Sequence, residues 1–504
     1  MSREAWVLTA FILYSGLIIA MAMFFVRSKN LSDYFLGGRS LNSWVGALSA
    51  QASDMSGWLL MGLPGAVYAA GTGRAWIAVG LALGTAANWL LIAKRLRRYT
   101  ITAKNSITLP EYLENRFHDS SHFLKVSAAA FFAIFFTVYT AAGFVAGGTL
   151  LSSIFNINYH TGMMIGAAFI LAYTLIGGFL AVSWTDTVQG MMMLLAVLLI
   201  PMFVVMAMGG WGSVSAAVPP DFFNIMTDGA GGTIAPVSII SDLAWGLGYF
   251  GMPHILVRFM AIKSEKHVGR SAVIAIVWVV LALGSAVMVG LVGHAFIPGL
   301  DNPETVFIQM VENVFLAPGA IIAVPLLGGL FLCGIFAAIK STADSQLLVT
   351  SSAITGDIYK QINKTASDAH LVWVSRLAVL GVAAVAFLIA LDPGSNIMGL
   401  VANAWAGFGS AFGPLVILSL YWPRVNRAGA LMGVISGGMT VIVWDYIPLV
   451  QGATIGSYTG LYSLVPGFFI SLAAVVAGSL MTEQPSKAML DEFKKAAIPL
   501  GDGE

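Results

Sequence analysis

The chain has 504 residues, of which 58% are hydrophobic and only 10% are charged. A water-soluble fold cannot hide that much apolar surface, so the composition excludes a soluble protein and indicates one that crosses a membrane many times. The formal net charge of +1 points to no class of partner, and the single cysteine, Cys333, excludes an intramolecular disulfide framework.

Thirteen apolar segments are predicted as membrane spans, for which about 20 apolar residues suffice. The first runs from about Ala5 to Val26, and because its basic residues follow the apolar run we predict a span and not a secretion signal. The second, roughly Trp44 to Ala69, is interrupted near its middle. The other eleven are predicted at 75–93, 126–154, 162–176, 186–208, 237–251, 271–297, 317–352, 372–391, 398–421, 428–444 and 461–481.

Basic residues concentrate on alternate loops. Those loops and the C-terminal tail carry 22 of the 25 Lys and Arg residues, including Arg258 after the seventh span. Because Lys and Arg accumulate in cytoplasmic loops, this distribution predicts an outside N-terminus and a cytoplasmic C-terminus. Such an arrangement requires an odd number of spans, which agrees with thirteen.

The second predicted span contains the polar stretch Gln51–Trp58, QASDMSGW. A charge at the bilayer centre costs about 3 kcal/mol or more, and irregular backbone is tolerated there only where it is buried in protein or lines a cavity. We interpret the stretch as a broken helix whose freed carbonyls and hydroxyls bind an ion. The alternative is a kinked helix in which Asp54 is a buried structural group.

Five spans later, the stretch Trp245–Pro253, WGLGYFGMP, holds three glycines and a proline and cannot form a regular helix. Two interrupted helices at matching positions of two halves indicate an inverted repeat with a binding site near the midplane. We therefore predict one all-α polytopic transporter domain with a five-plus-five core. Residues 42–208 form its first repeat and 233–421 its second, flanked by a peripheral helix and loop (1–41) and by two peripheral helices and a cytoplasmic tail (422–504).

The ninth predicted span has a polar face. At about 100° per residue, Ala338, Ser341, Thr342 and Ser345 share one side of the helix. Two adjacent hydroxyls and a carbonyl are hard oxygen ligands that suit a small cation, although hydroxyls in membrane helices also bond back to their own backbone. Together with the broken helix of the second span, this face favours the cation interpretation.

Lys340 lies nearly opposite that face, on the side of Asp344 one turn later, so an i,i+4 ion pair is available. We predict that Lys340 is either neutralised in this way or reaches cytoplasmic water, with Asp242 as a less certain partner. The competing hypothesis is that the ammonium group takes the place of the coupling cation.

Aromatic side chains accompany the second break. Trp245 and Tyr249 lie on one face, and Tyr139 of the fourth span can join them; such rings can enclose a small solute whose carboxylate is held by freed amides. Interhelical packing is the alternative.

Asp186 lies at a predicted span boundary, and three interpretations of it stay open: a secondary cation ligand, a partner for a cytoplasmic arginine, or a helix cap. With no nucleotide loop, nucleophile–base pair or metal-ligand cluster in the sequence, a transporter is favoured over an enzyme.

Several long motifs resemble the sodium:solute symporter family. They are LGGRS at 36–40, ASDMSGWLLMG at 52–62, GGFLAVSWTDT at 177–187, GLGYFG at 246–251 and AWAGFG at 404–409. The similarity covers nearly the whole chain. It implies a five-plus-five inverted-repeat fold with alternating access, sodium as the coupling ion and no other cofactor.

The resemblance also implies roles for single positions. It implies that the carbonyls of Ala52, Met55 and Ala338 and the hydroxyls of Ser341 and Thr342 bind sodium. Asp54 matches an aspartate that the family requires for sodium-coupled uptake, and Asp186 matches one near the inner ion path. The positions implied in binding L-proline are Ser56, Gly57, Tyr139, Trp245, Tyr249 and Pro253.

Two ionisable groups, Lys340 and Asp242, depart from the family pattern, which usually has apolar residues there.

The expected function is import of L-proline with sodium across a bacterial cytoplasmic membrane, with the lipid bilayer as surroundings and no nucleic acid or obligate protein partner. Lys340 suggests a proton-coupled or sodium-independent carrier instead. A transporter-derived sensor is disfavoured by the short tail, and a proton-pumping respiratory subunit by the lack of a midplane series of lysines and glutamates.

Overall fold

The computed structural model describes residues 2–25, 31–174, 178–322, 324–392, 395–449 and 452–499. These residues form an all-helical protein without strands, in which only two isolated bridges, Leu41 with Ile262 and Thr227 with Thr233, pair extended backbone. Ten helices in this part of the chain are long and apolar enough to cross a membrane. The predicted all-α membrane fold is therefore confirmed, while the count of thirteen spans stays a prediction.

The described residues of the first half of the chain form ten α-helices. Two of its predicted spans are irregular, because π-helical turns at Trp58–Gly62 and Asn88–Ala93 join successive helices. The helices are α1 (Arg3–Phe25), α2 (Leu31–Leu36), α3 (Ser43–Asp54), α4 (Leu63–Ala70), α5 (Ala75–Ala87), α6 (Lys94–Thr102), α7 (Leu109–Arg116), α8 (Phe123–Phe155), α9 (Tyr159–Thr174) and α10 (Phe179–Ala207).

In the second half, the residues that the structure describes form thirteen more α-helices. A 3₁₀ segment, Trp245–Gly251, follows α12 and leads to Met252, the residue before α13. A π-helical segment, Ala353–Tyr359, extends α16. The helices are α11 (Trp211–Ala216), α12 (Pro236–Ala244), α13 (Pro253–Ala261), α14 (Glu265–Phe296), α15 (Val306–Val311), α16 (Pro325–Ser352), α17 (Lys360–Ile362), α18 (Asp368–Ile389), α19 (Ile397–Tyr421), α20 (Arg427–Tyr446), α21 (Ile455–Thr459), α22 (Leu464–Met481) and α23 (Lys487–Ala497).

Most predicted spans correspond to these helices, with two informative differences. Helix α10 begins at Phe179 and not at Asp186, so Asp186 lies inside the helix and the prediction of a helix cap is wrong. The short helices α7, α11, α15 and α23 lie outside the predicted apolar runs. The predicted ends of the first and fifth spans, Val26 and Ile176, and the basic loop residues Arg27 and Lys29, lie outside the described residues.

Both predicted breaks are present. Asn42 caps the start of α3 by accepting from two backbone amides, and the helix ends at Asp54 because Met55 has ψ of 78°, outside the helical region. At the second break Met252 has an extended backbone, with ψ of 107°. Pro253 then starts α13, where its missing N–H costs nothing.

Glycines allow the second break to pack closely on α5 and α19. A Cβ atom at Gly246 would lie 2.2 Å from the carbonyl oxygen of Gly80, and one at Gly248 would lie 1.9 Å from Nε1 of Trp405. Helix α3 in turn contacts α13, α14 and α16 of the second half. The two interrupted helices therefore sit in the buried centre of the bundle, while the repeat boundaries stay a prediction.

Candidate functional site

Four of the five predicted sodium ligands lie together where the end of α3 meets the middle of α16. The Ser341 hydroxyl donates to the carbonyl of Ala52 at 2.7 Å, and the Thr342 hydroxyl reaches the same oxygen at 3.3 Å. Ser341 also lies 3.2 Å from the carbonyl oxygen of Ala338. Met55 follows at the end of α3, where carbonyls lose their helical partners. Because hydroxyl groups can rotate to present a lone pair, this cluster can offer several oxygens to one small cation.

Asp54 connects the two breaks. Its Oδ2 atom accepts a hydrogen bond from the Tyr249 hydroxyl at 2.6 Å, and its side chain is fully buried. Its Oδ1 atom has no hydrogen-bond partner among the described residues. The backbone carbonyl of Asp54 accepts from Trp58 Nε1 at 3.2 Å and from the Tyr139 hydroxyl at 3.3 Å. The predicted coupling residue thus touches two of the residues predicted to bind proline.

The aromatic residues predicted to surround proline belong to a larger cluster. Trp245 stacks on Tyr462, with ring centroids 5.4 Å apart, and the Tyr249 ring meets the Trp405 ring edge-on at 5.0 Å. Trp405 also donates from Nε1 to the carbonyl of Trp245 at 2.7 Å. Sequence reasoning did not name Trp405 or Tyr462 as site residues. The signal for Trp405 was its place in the AWAGFG motif; for Tyr462 the sequence offered none.

The remaining predicted proline positions lie at the ends of the breaks. Ser56 and Gly57 occupy the turn after α3, and a Cβ atom at Gly57 would lie 2.9 Å from that of Ala146, so the turn lies directly against α8. Pro253 lines a narrow cleft of about 10 Å³ together with Phe132 and Leu348. The structure therefore brings Tyr139, Trp245 and Tyr249 towards Asp54, whereas Pro253 lines a constriction on one side of them.

Asp186 is paired with an arginine that the sequence analysis placed in a loop. Arg258 lies inside α13 and is fully buried, so its assignment to a cytoplasmic loop is wrong. Its Nη2 atom lies 3.2 Å from Oδ2 of Asp186 and donates to the Ser345 hydroxyl at 2.6 Å, while Nε donates to the Ser49 hydroxyl at 3.1 Å. The arginine-partner interpretation of Asp186 thus agrees with the geometry. The sequence did contain a signal for this buried polar face, because His254 and Arg258 lie one helical turn apart directly after Pro253.

Lys340 forms the predicted ion pair. Its Nζ atom lies 2.7 Å from Oδ2 of Asp344, and the Thr174 hydroxyl donates to the other Asp344 oxygen at 2.5 Å. Both charged side chains have zero exposure, so the alternative in which Lys340 reaches cytoplasmic water is wrong. Asp242, the less certain partner, pairs with Arg74 at 3.1 Å. Lys340 therefore faces α9 while Ser341 and Thr342 face α3, as the helical geometry predicts.

Clefts lie on both sides of the buried residues that surround Asp54 and Tyr249. One, of about 410 Å³, is lined by Arg74, Asp242, Trp245, Asp445 and Tyr462. Another, of about 260 Å³, is lined by Thr108, Lys125 and Asp357 and shares Phe35 with the narrow cleft at Pro253. Trp245 and Tyr249 are only 5% and 1% exposed. The centre is consequently closed on both sides in this conformation.

Comparison with known proteins identifies relatives over almost the full length. The model of the sodium:solute symporter family matches residues 34–437. The high-affinity proline transporter PutP of Bacillus subtilis (strain 168) is 48% identical over 475 residues, covering 93% of this chain and 96% of that protein. The sodium/proline symporter of Escherichia coli (strain K12) is 46% identical over 484 residues, covering 95% and 94%.

Solved structures share the fold. A sodium-coupled sialic acid symporter, in a substrate-bound outward-open state, superposes with a TM-score of 0.77 at 19% identity, covering 96% of this chain and 99% of that one. Mhp1, a transporter of the nucleobase-cation-symport-1 family, gives a TM-score of 0.55 at 11% identity, covering 93% and 99%. At these identities the likeness concerns the fold alone.

Proposed function

This chain belongs to the sodium:solute symporter family, and we propose that it is a secondary active transporter that imports L-proline together with sodium. It is a multi-pass membrane protein. The observation that carries the proposal is the hydrogen bond between Tyr249 and Asp54, which joins the predicted proline site to the predicted ion site. The names and high identities of the bacterial relatives support proline as the solute.

In the proposed mechanism, sodium binds first among the oxygens of Ala52, Met55, Ala338, Ser341 and Thr342. The cation bridges α3 and α16, and the charge of Asp54 near this site favours it electrostatically. A ligand shifts a conformational equilibrium only by its differential affinity for the two states. Sodium therefore acts by stabilising the arrangement of α3 and α16 that opens to the outside.

Proline then binds between the breaks, with its ring against Trp245 and Tyr249 and its polar groups towards freed backbone and buried polar side chains. Closure of the aromatic cluster over the substrate gives a conformation like the one described here. Opening of the opposite side, past Pro253 and the cleft at Lys125 and Asp357, releases both. We place the N-terminus outside and the C-terminus in the cytoplasm of a bacterial inner membrane, since basic residues favour the cytoplasmic loops.

The test is uptake of radiolabelled L-proline into proteoliposomes that contain the purified full chain. We expect accumulation with an inward sodium gradient, little with a potassium gradient of equal size, and competition by proline far above that by glucose, sialic acid or pantothenate. Thr342→Val is the matched test variant: it keeps the shape of the side chain, removes one predicted sodium ligand, and should raise the sodium concentration that uptake requires. Uptake that ignores the sodium gradient, or inhibition by a sugar and not by proline, would overturn the proposal.

A further inference from the structure

A buried histidine in the centre of the bundle lacks hydrogen-bond partners for its ring. His254 is the second residue of α13 and has zero exposure. Neither ring nitrogen is hydrogen-bonded to any of the described residues, although the backbone carbonyl accepts from Arg258 at 2.9 Å. Leaving a buried polar group unpaired is energetically costly, so most such groups in folded proteins find a partner. A ring placed in this way calls for an explanation.

The position of the ring suggests one. It meets the rings of Tyr139 and Phe136 edge-on, with centroid distances of 6.3 and 5.6 Å. Tyr139 in turn donates to the backbone carbonyl of Asp54 in the first break. His254 itself directly follows Pro253 at the end of the second break. The unpaired ring therefore lies between the two breaks, next to residues that the sequence analysis predicted to contact proline.

We infer that His254 is a substrate-binding residue whose ring N–H donates a hydrogen bond to the carboxylate of the transported amino acid. This inference rests on the proposed function, which it deepens by naming a residue that recognises the carboxylate. A neutral imidazole offers one donor and one acceptor, and a hydrogen bond to a charged group is worth about twice a neutral one.

The charged groups near His254 decide which end of a zwitterion faces it. The Arg258 guanidinium lies one turn further along the same helix, where it bonds the His254 carbonyl and has Asp186 as its counter-ion at 3.2 Å, so this side presents no net charge to the substrate. The Asp54 carboxylate lies on the far side of Tyr139, with one oxygen unpaired among the described residues. The ammonium group of the substrate therefore points towards Asp54 and its carboxylate towards His254.

Two substitutions test this assignment in the purified full chain. His254→Phe fills the same space without polar atoms, and His254→Gln keeps a donor. Ser410→Ala is the matched control. Its hydroxyl is also a buried polar group without a partner among the described residues, and it lies beside Gly437 and Gly467 in a different part of the bundle. Each variant is measured for thermal stability without substrate and for binding of proline and of prolinol, in which a hydroxymethyl group replaces the carboxylate.

We expect His254→Phe to be as stable as the parent or more stable, because it removes an unpaired polar group. Its affinity for proline should fall about tenfold or more, and its affinity for prolinol less than about threefold, so that discrimination between the two is largely lost. His254→Gln should recover part of the discrimination, and Ser410→Ala should bind both ligands like the parent.

Retention of proline affinity and of discrimination in both His254 variants would overturn the inference and leave the proposed function standing. An equal loss of affinity for both ligands, or failure of both variants to fold, would also overturn it, since each outcome assigns His254 to packing. If the parent itself binds no proline, the proposed function fails, and this inference fails with it.

Discussion

The Tyr249 hydroxyl lies 2.6 Å from Oδ2 of Asp54, so this hydrogen bond joins the breaks of the two interrupted helices directly. Tyr249 belongs to the aromatic cluster at the predicted proline site, and Asp54 lies two residues after Ala52 in the predicted sodium site. The carbonyl of Tyr249 is fixed in turn by Asn88, whose amide donates to it at 2.9 Å. A change at either ligand site can therefore reach the other through one contact.

Tyr249→Phe tests this link. The substitution keeps the ring and removes the hydroxyl, and a hydrogen bond to a charged group is worth about 1.5–3 kcal/mol. We expect proline to bind with reduced affinity. The factor by which saturating sodium raises proline affinity should be about tenfold smaller than in the parent. The measurement is proline binding at low and saturating sodium, with Tyr462→Phe as the control, since that hydroxyl donates to the Ala402 carbonyl and not to the first break. An unchanged sodium effect in Tyr249→Phe would contradict the link.

Asp54→Asn separates the charge of this residue from its hydrogen bond. An amide oxygen can still accept from Tyr249, so the geometry survives while the negative charge near the sodium ligands is lost. We expect the sodium concentration for half-maximal uptake to rise about tenfold or more, or uptake to stop, with normal insertion and purification yield. Sodium-dependent uptake like that of the parent would reduce Asp54 to a structural residue.

The sequence predicted the central features because the breaks interrupt apolar runs. The cluster of polar residues around Asp54, and the three glycines and the proline around Tyr249, are unfavourable in a regular membrane helix, so both breaks could be located from the sequence pattern alone. The face shared by Ala338, Ser341 and Thr342 followed from helical periodicity. The contact of this face with Ala52 depended on tertiary structure and was implied only by the family resemblance.

Polar residues inside apolar helices account for the features that the sequence did not predict. Asp186 follows Ser183 and Thr185, which made a helix interior look like a boundary, and Arg258 follows the second break closely enough to look like part of a loop. Both are buried because each supplies the other's counter-ion at 3.2 Å. Such compensation joins residues far apart in the chain, and a search for apolar runs cannot detect it. The helices α7 and α23 were missed for a different reason, since they lie outside the apolar runs on which the prediction of spans relied.

The pair formed by Arg258 and Asp186 gives a prediction about stability. Removing one partner of a buried ion pair leaves an uncompensated charge and costs about 3–5 kcal/mol, whereas replacing both can be neutral. We expect Arg258→Met and Asp186→Asn each to lower the melting temperature of the purified protein clearly, and the double variant to recover most of the loss. Thermal unfolding in detergent measures this directly. Additive losses in the double variant would show that the two side chains are not coupled.

Lys340 gives the last prediction, which separates a neutralised charge from a substitute for the coupling ion. The Lys340 ammonium bonds Asp344 at 2.7 Å on the side of α16 that faces Thr174, whereas Ser341 and Thr342 bond Ala52 on another side. The Lys340 ammonium group therefore does not occupy the predicted sodium site, and sodium-dependent uptake should survive removal of this lysine. Because Lys340→Met alone leaves Asp344 without its counter-ion, we expect this variant to be less stable, and Lys340→Met combined with Asp344→Asn to recover stability.

In both Lys340 variants, proline uptake per correctly inserted molecule should keep the sodium dependence of the parent within about twofold, since no predicted ligand is changed. The measurement is uptake in proteoliposomes against sodium concentration, normalised to protein that survives reconstitution. Lys360→Met is the control, because it removes a lysine from the cleft near Asp357, away from the predicted sodium ligands. If the parent showed no sodium dependence and Lys340→Met created it, the ammonium group would be acting as the cation, and the assignment of Lys340 to a structural ion pair would be wrong.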